Sequence, residues 1–306
     1  MFVCKNHLHQ MRNNYAAIFH RRNNNRKIIY GNRVHEKGLD RLEHTAGIAY
    51  YLTRKGAGNM QIITAAIIKG GTGKTTTIAA LAQAAAADGQ EVLAIDLDPQ
   101  GNLTVSLGAA LNHPGSYDLL HGADPAQLIQ QTAQGVDVIS ASADLALERT
   151  LPGSAMRLKE AIEPIKKKYQ FIFIDTPPTI GETTYNALQA STCLIIPLET
   201  DSNALQGLYQ IVDITNHMRQ SNPKLSIIGA VLTRYDSRPK INRYLRDAIK
   251  EQGRENGVPL IAEIRPGIAI REAQALQRSI FEYAPRSKPA QDYNALYKFI
   301  AEKRKR

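Results

Sequence analysis

The stretch "IIKGGTGKTTT", residues 67–77, constrains the chain more than any other. An apolar run beginning "MQIITAA" leads straight into a glycine-rich loop, and a helix-forming run follows at once. Gly70, Gly71 and Gly73 let the backbone turn tightly and aim its N–H groups at one point. A helix starting near Lys74 adds the positive end of its dipole. Strand, loop and helix in this order make a cradle for phosphate. Lys74 is then placed to reach β- and γ-phosphates, the Thr75 hydroxyl to ligate Mg²⁺, and Thr72 and Thr76 to line the same loop. The ordinary loop reads G-x-x-x-x-G-K-[ST]. Here Ile68 stands where its first glycine belongs, and beside it is a second lysine, Lys69.

Two acidic strand ends follow. In "VLAIDLDPQGN", 92–102, Asp96 and Asp98 stand two apart, on the same side of an extended chain. Beside a triphosphate such a pair can hold a metal's water and orient an attacking water. In "FIFIDTPP", 171–178, four apolar residues end in Asp175 and break at Pro177-Pro178. This has the form of a Walker B strand, whose carboxylate supports Mg²⁺. Each motif alone is an ordinary strand end; their order after the loop gives them weight.

From Met60 onward, short runs rich in Ile, Val and Leu alternate with helical patterns. The expected strands are 61–68, 91–96, 136–140, 171–175, 192–197, 226–233 and 259–264. The expected helices are 74–88, 154–168, 182–190, 203–218, 239–252 and 288–304. Strands apolar on both faces and separated by helices imply an α/β fold with a doubly wound, mainly parallel sheet. One domain spanning 60–306 is the simplest division. No apolar run approaches the ~18 residues of a membrane-spanning helix.

The net charge of +10 invites a nucleic-acid reading, but it is not spread evenly. Residues 1–59 carry +8 and residues 302–306 carry +3, leaving −1 for everything between. The segment 1–59 is rich in Asn, Arg and His and lacks a sustained period. It reads either as a basic, disordered arm or as the product of a start placed too early, with Met60 the initiator. Lys55-Gly56 fits the second reading, because its codons are purine-rich where a bacterial ribosome-binding site would lie. The two cysteines, Cys4 and Cys193, cannot build a four-cysteine zinc or iron–sulfur site within one chain. A reducing cytoplasm suits so few thiols.

Taken together, "KGGTGKTT", "DLDPQGN" and "FIFIDTPP" resemble the ParA/MinD family of deviant-Walker P-loop ATPases, and the ParA branch in particular. Later segments are similar too: "LIIPLETDSNALQGL" (194–208), "GAVLTRYD" (229–236), "EIRPGIAIREA" (263–273) and "IFEYAPRSKPAQDY" (280–293). The resemblance runs from residue 60 to about 300. It implies an ATPase that uses Mg²⁺ and closes into a homodimer around ATP. Lys69 matches the family's signature lysine, which reaches the partner's nucleotide. Asp98 matches the residue that activates water, Asp96 the one near Mg²⁺, and Asp175 the Walker B acid. Thr233, Arg265 and Pro266 fall where the base is read. Many relatives write I-x-R-N-V-R-L-S-E-A where this chain has "EIRPGIAIREA", which sets its base and DNA contacts apart.

The resemblance also implies a ParB-like centromere-binding partner, non-specific DNA binding, and a place in the cytoplasm on the nucleoid. Non-specific binding needs cations that neutralise phosphates without reading bases. In "PKINRYLRDAIKEQ", 239–252, Lys240, Arg243, Arg246 and Lys250 share one helical face, while Ile241, Leu245 and Ile249 take another. A MinD-like membrane shuttle is the rival reading. It would use the stripe Tyr293, Leu296, Tyr297 and Ile300, followed by basic residues; such a stripe more often docks on the body of a protein. The redox branch of this fold needs cysteines that bridge a cluster between subunits, and Cys193 falls in an expected buried strand.

Overall fold

A computed structural model describes residues 60–111, 114–148 and 153–304; the basic segment 1–59 and its two readings lie outside the described residues. The strands are β1 (Gln61–Ala65), β2 (Val92–Asp96), β3 (Ile129–Gln131), β4 (Asp137–Ile139), β5 (Phe171–Asp175), β6 (Cys193–Leu198), β7 (Ser226–Leu232) and β8 (Leu260–Glu263). They form one sheet in the order β3-β4-β2-β5-β1-β6-β7-β8. Every neighbouring pair is parallel except β3 and β4.

Side chains alternate across the central strands, and both faces are dry. Phe171 and Phe173 face one layer, with Ile63 and Ala94. Ile172 and Ile174 face the other, with Ile62, Leu93 and Ile95. This double burial explains the continuous apolar runs of the sequence. Helix α1 (Lys74–Ala87) is almost wholly buried, because its run of alanines lets it lie close under the sheet. The next helices are α2 (Asn102–Ser106), α3 (Ser116–Leu120), α4 (Pro125–Leu128), α5 (Arg157–Ala161), α6 (Glu182–Ala190), α7 (Ala204–Met218) and α8 (Lys240–Glu255). Then come α9 (Ala269–Ala275), α10 (Ile280–Tyr283) and α11 (Lys288–Arg304).

Three expectations change. The helix expected over 154–168 is broken: α5 ends at Ala161, and only short 3₁₀ turns lie at Ser154–Met156 and Lys166–Lys168. Pro164 supplies the cause, since it has no N–H to continue the ladder and restricts the residue before it. Strand β1 stops at Ala65 rather than residue 68, where the chain leaves to begin the loop. The stubs α2, α3, α4, α9, α10 and β3 were not expected, being too short to show a period.

The stripe on α11 is docked. Tyr293, Leu296, Tyr297 and Ile300 are all buried in the same core layer as α1. The Tyr297 hydroxyl donates to Asp88 at 2.7 Å, and its ring meets Phe171 edge-on at 6.0 Å. No helix among the described residues is long and apolar enough to cross a membrane. Leu296→Ala is therefore expected to lower unfolding free energy by about 2–5 kcal/mol in a denaturant melt. A variant of unchanged stability would mean that this face is not part of the core.

Candidate functional site

Three strand ends meet at one level. In the sheet register Asp175 sits opposite Ala65 of β1 on one side and Asp96 of β2 on the other. The chain leaves β1 into the glycine loop and enters α1 through Gly73, a left-handed N-cap with φ 87°. A side chain there would be strained and would press on the Thr233 methyl at 3.1 Å. No side chain caps α1, so its first-turn N–H groups face the loop.

Lys74 is buried, and its Nζ donates to the Lys69 carbonyl at 3.1 Å. Burial pulls its pKa down, while Asp175 and Asp98 oppose that shift. The Thr75 hydroxyl donates to Asp175 Oδ2 at 2.6 Å. Asp175 Oδ1 is buried with no partner. Burial, reinforced by Asp96, raises the Asp175 pKa against the pull of Thr75 and Lys74. An orphaned carboxylate oxygen beside a hydroxyl suits a hard cation such as Mg²⁺. That ion is commonly held by one or two protein oxygens, with phosphate and water completing its shell.

The two acids of the second motif part company. The strand ends at Asp96, so its period does not carry on to Asp98. Asp96 is fully buried and both its oxygens are taken. Oδ2 accepts from the Thr104 N–H and hydroxyl, each at 2.8 Å, and Oδ1 accepts from Asp98 N–H at 3.1 Å. Burial pushes its pKa up to about 6 despite these bonds. Its reach toward a metal is thus limited by α2. Asp98 instead lines a cavity of about 550 Å³ together with the loop, Gln100, Asn102 and Gln274. Its Oδ1 accepts from Gln100 N–H at 3.0 Å.

A second cavity of about 510 Å³ adjoins the first and shares Gly73, Thr76, Arg234 and Gln274 with it. Thr233, Arg265 and Pro266 line it. Their polar groups are already engaged, however. The Thr233 hydroxyl donates to the Thr72 carbonyl at 2.8 Å. The Arg265 guanidinium grips Asp292 of α11 at 2.9 and 2.6 Å, with its N–H on the same carboxylate. Arg265 therefore fixes the loop that walls the cavity.

Lys69, next to Gly70 of the loop, is a third exposed and in an ion pair with Asp201. On α8, Lys240, Arg243 and Lys250 are exposed. Arg246 is not free: it donates to Glu263 at 2.8 Å and Asp247 at 2.5 Å. Only Ile249 of the expected apolar face is buried, and Ile241 is 59% exposed. Reasoning from sequence missed Arg234, Gln274 and the carboxylates Glu199 and Asp201. Arg234 had a signal, since it follows Thr233 in "GAVLTRYD".

A phosphate loop between central parallel strands, an acid at the neighbouring strand tip and a second lysine beside the loop define a P-loop nucleotide hydrolase. Comparison with known proteins is specific. A family model described as an AAA domain matches residues 60–227. The sporulation initiation inhibitor protein Soj of Bacillus subtilis (strain 168) is 36% identical over 243 residues, covering 76% of this chain and 95% of that protein. The chromosome partitioning protein ParA of Caulobacter vibrioides is 37% identical over 205 residues, covering 63% and 77%. Among solved structures, cobyrinic acid a,c-diamide synthase of Mycobacterium smegmatis with bound ADP and magnesium is 29% identical, with TM-score 0.65 and coverage of 80% and 95%. The septum site-determining protein MinD of Pyrococcus horikoshii with Mg-ADP is 27% identical, with TM-score 0.65 and coverage of 79% and 96%. The chain belongs to the ParA/Soj-type partitioning ATPases of the ParA/MinD family.

The buried acids set a pH dependence. A carboxyl whose pKa is raised on folding stabilises the fold while protonated, and that contribution is lost as pH rises through the folded pKa. For Asp96 the window runs from its ordinary 3.8 to about 6, and Asp175 adds a loss of the same sign. Asp175→Asn keeps an acceptor for Thr75 and removes one buried charge. Nucleotide-free, it is expected to be about 1–3 kcal/mol more stable than wild type at pH 8, with the gap closing toward pH 4. Equal destabilisation at both pH values would show that the carboxylate is not electrostatically strained.

Proposed function

We propose that this chain is an ATPase that closes into a homodimer on Mg·ATP, coats DNA non-specifically, and releases it when a ParB-like partner stimulates hydrolysis. The contrast between the two lysines carries this reading. Lys74 is buried and tied to its own loop. Lys69 is a third exposed and held by one exchangeable carboxylate, so it is free to serve a second copy. Exposed Val105, which lines the cavity beside the loop, favours a surface that becomes covered.

The reaction is in-line attack of water on the γ-phosphorus of ATP. Asp98 holds and orients that water. Lys74 and the N–H groups of the loop take up charge on the phosphate oxygens, and the partner's Lys69 adds a cation from the open side. Thr75 and Asp175 are the groups that would hold Mg²⁺, which neutralises phosphate charge when bound. Asp96 acts through others: pinned by Thr104 and bonded to Asp98 N–H, it fixes the turn that aims Asp98.

For DNA, the exposed cations Lys240, Arg243 and Lys250 support a phosphate-binding face on α8; Arg246 adds less because Glu263 and Asp247 offset it. This role would place the protein on the nucleoid in the cytoplasm. The likeness to MinD keeps a membrane-associated reading in view, but the burial of the α11 stripe argues against it.

Lys69→Ala is expected to bind nucleotide yet lose ATP-dependent dimerisation and turnover, whereas Asp98→Ala should accumulate as an ATP-bound dimer. Size exclusion and phosphate release check both; unchanged turnover in the first or a monomer in the second contradicts the assignment. The double variant Lys240→Ala/Lys250→Ala should weaken DNA co-sedimentation for all sequences alike and lower the salt slope by about 2. Wild-type binding and slope would place the DNA face elsewhere.

A further inference from the structure

We infer that Arg234 is a second nucleotide-facing cation, held on Glu199 until a triphosphate takes it; this rests on the nucleotide-site reading above. Its backbone is unusual. Arg234 has φ 51°, and among the described residues only Gln277 shares a left-handed conformation without being glycine. Such a conformation persists only where the surroundings fix it. Here they do so on both sides: Thr233 N–H donates to the Leu198 carbonyl and Tyr235 N–H to the Ile264 carbonyl, each at 2.8 Å. The kink between these anchors throws the side chain off the sheet and over the phosphate loop.

There the guanidinium lies where the two cavities join, lining both. It donates to the Gly71 carbonyl of the loop, and its Nε donates to Glu199 Oε1 at 2.5 Å. The side chain is 52% exposed, so these bonds compete with water and can exchange. A planar fork of donors matches phosphate oxygens better than one carbonyl and one carboxylate oxygen. Glu199 and Asp201 are two residues apart in the segment joining β6 to α7. Asp201 holds Lys69 just as Glu199 holds Arg234. One short acidic segment thus restrains both cations at the mouth of the site, and phosphate charge competes with it for both.

The test is titration calorimetry of the full-length chain with Mg²⁺ and a non-hydrolysable ATP analogue, with adenosine as the uncharged control. Arg234→Ala is expected to weaken the analogue by roughly 10-fold or more while leaving adenosine unchanged. Arg234→Lys should recover part of the loss, and Glu199→Gln should bind the analogue as tightly as wild type or tighter. Analogue binding at wild-type strength in Arg234→Ala overturns the proposal. So does an equal loss for analogue and adenosine, which would make Arg234 a scaffold residue. Lys74→Ala separates the two levels: if it too binds the analogue normally, the nucleotide-site reading has failed, not the role of Arg234 alone.

Discussion

The site depends on one packing constraint: Asp96 and Asp175 are brought face to face on adjacent parallel strands in the driest part of the sheet. Two carboxylates there repel each other and cannot be solvated. The fold tolerates them by giving each a hydroxyl, Thr104 for Asp96 and Thr75 for Asp175, and by burying Lys74 nearby. One oxygen of Asp175 still has no partner. The fold is thus held in tension at the point where a cation and phosphates would be welcome, a common trade of stability for function.

The rest of the architecture keeps that point rigid on one side and adjustable on the other. Beneath the loop, α1 is clamped between the sheet and α11, where Tyr293 shares a hydrogen bond with Thr77 at 3.3 Å. The same helix α11 supplies Asp292 to fix Arg265 and the wall of the second cavity. Across the mouth, Lys69 and Arg234 rest on carboxylates of the segment 199–203, in ion pairs partly open to water. Interactions of that kind are weak and exchangeable.

How much of this the sequence made legible depends on the kind of signal. The parallel sheet and the long helices α1, α6, α7, α8 and α11 could be read from their apolar runs. The places of the glycine loop after β1 and of Asp175 at the end of β5 could be read because each is tied to a strand end along the chain. Contacts across the chain could not. Nothing near Arg265 in sequence announces Asp292, and nothing near Arg246 announces Glu263. Two cations that looked available for ligands are therefore spoken for. The period-two argument for Asp96 and Asp98 carries only as far as Asp96, where the strand ends. Pro164 lies within the helix expected over 154–168 and breaks it.

The second lysine explains why the loop departs from its ordinary form, provided the site is shared between two copies. Mixing Lys69→Ala with Asp98→Ala chains tests this directly by ATP turnover. Each variant alone lacks one part of every site. A mixed dimer holds one complete site, in which the Asp98→Ala chain lends its Lys69 to the intact Asp98 of the other. That site predicts turnover in the mixture well above that of either variant alone. A mixture as inactive as its two components would contradict a site completed by a second copy.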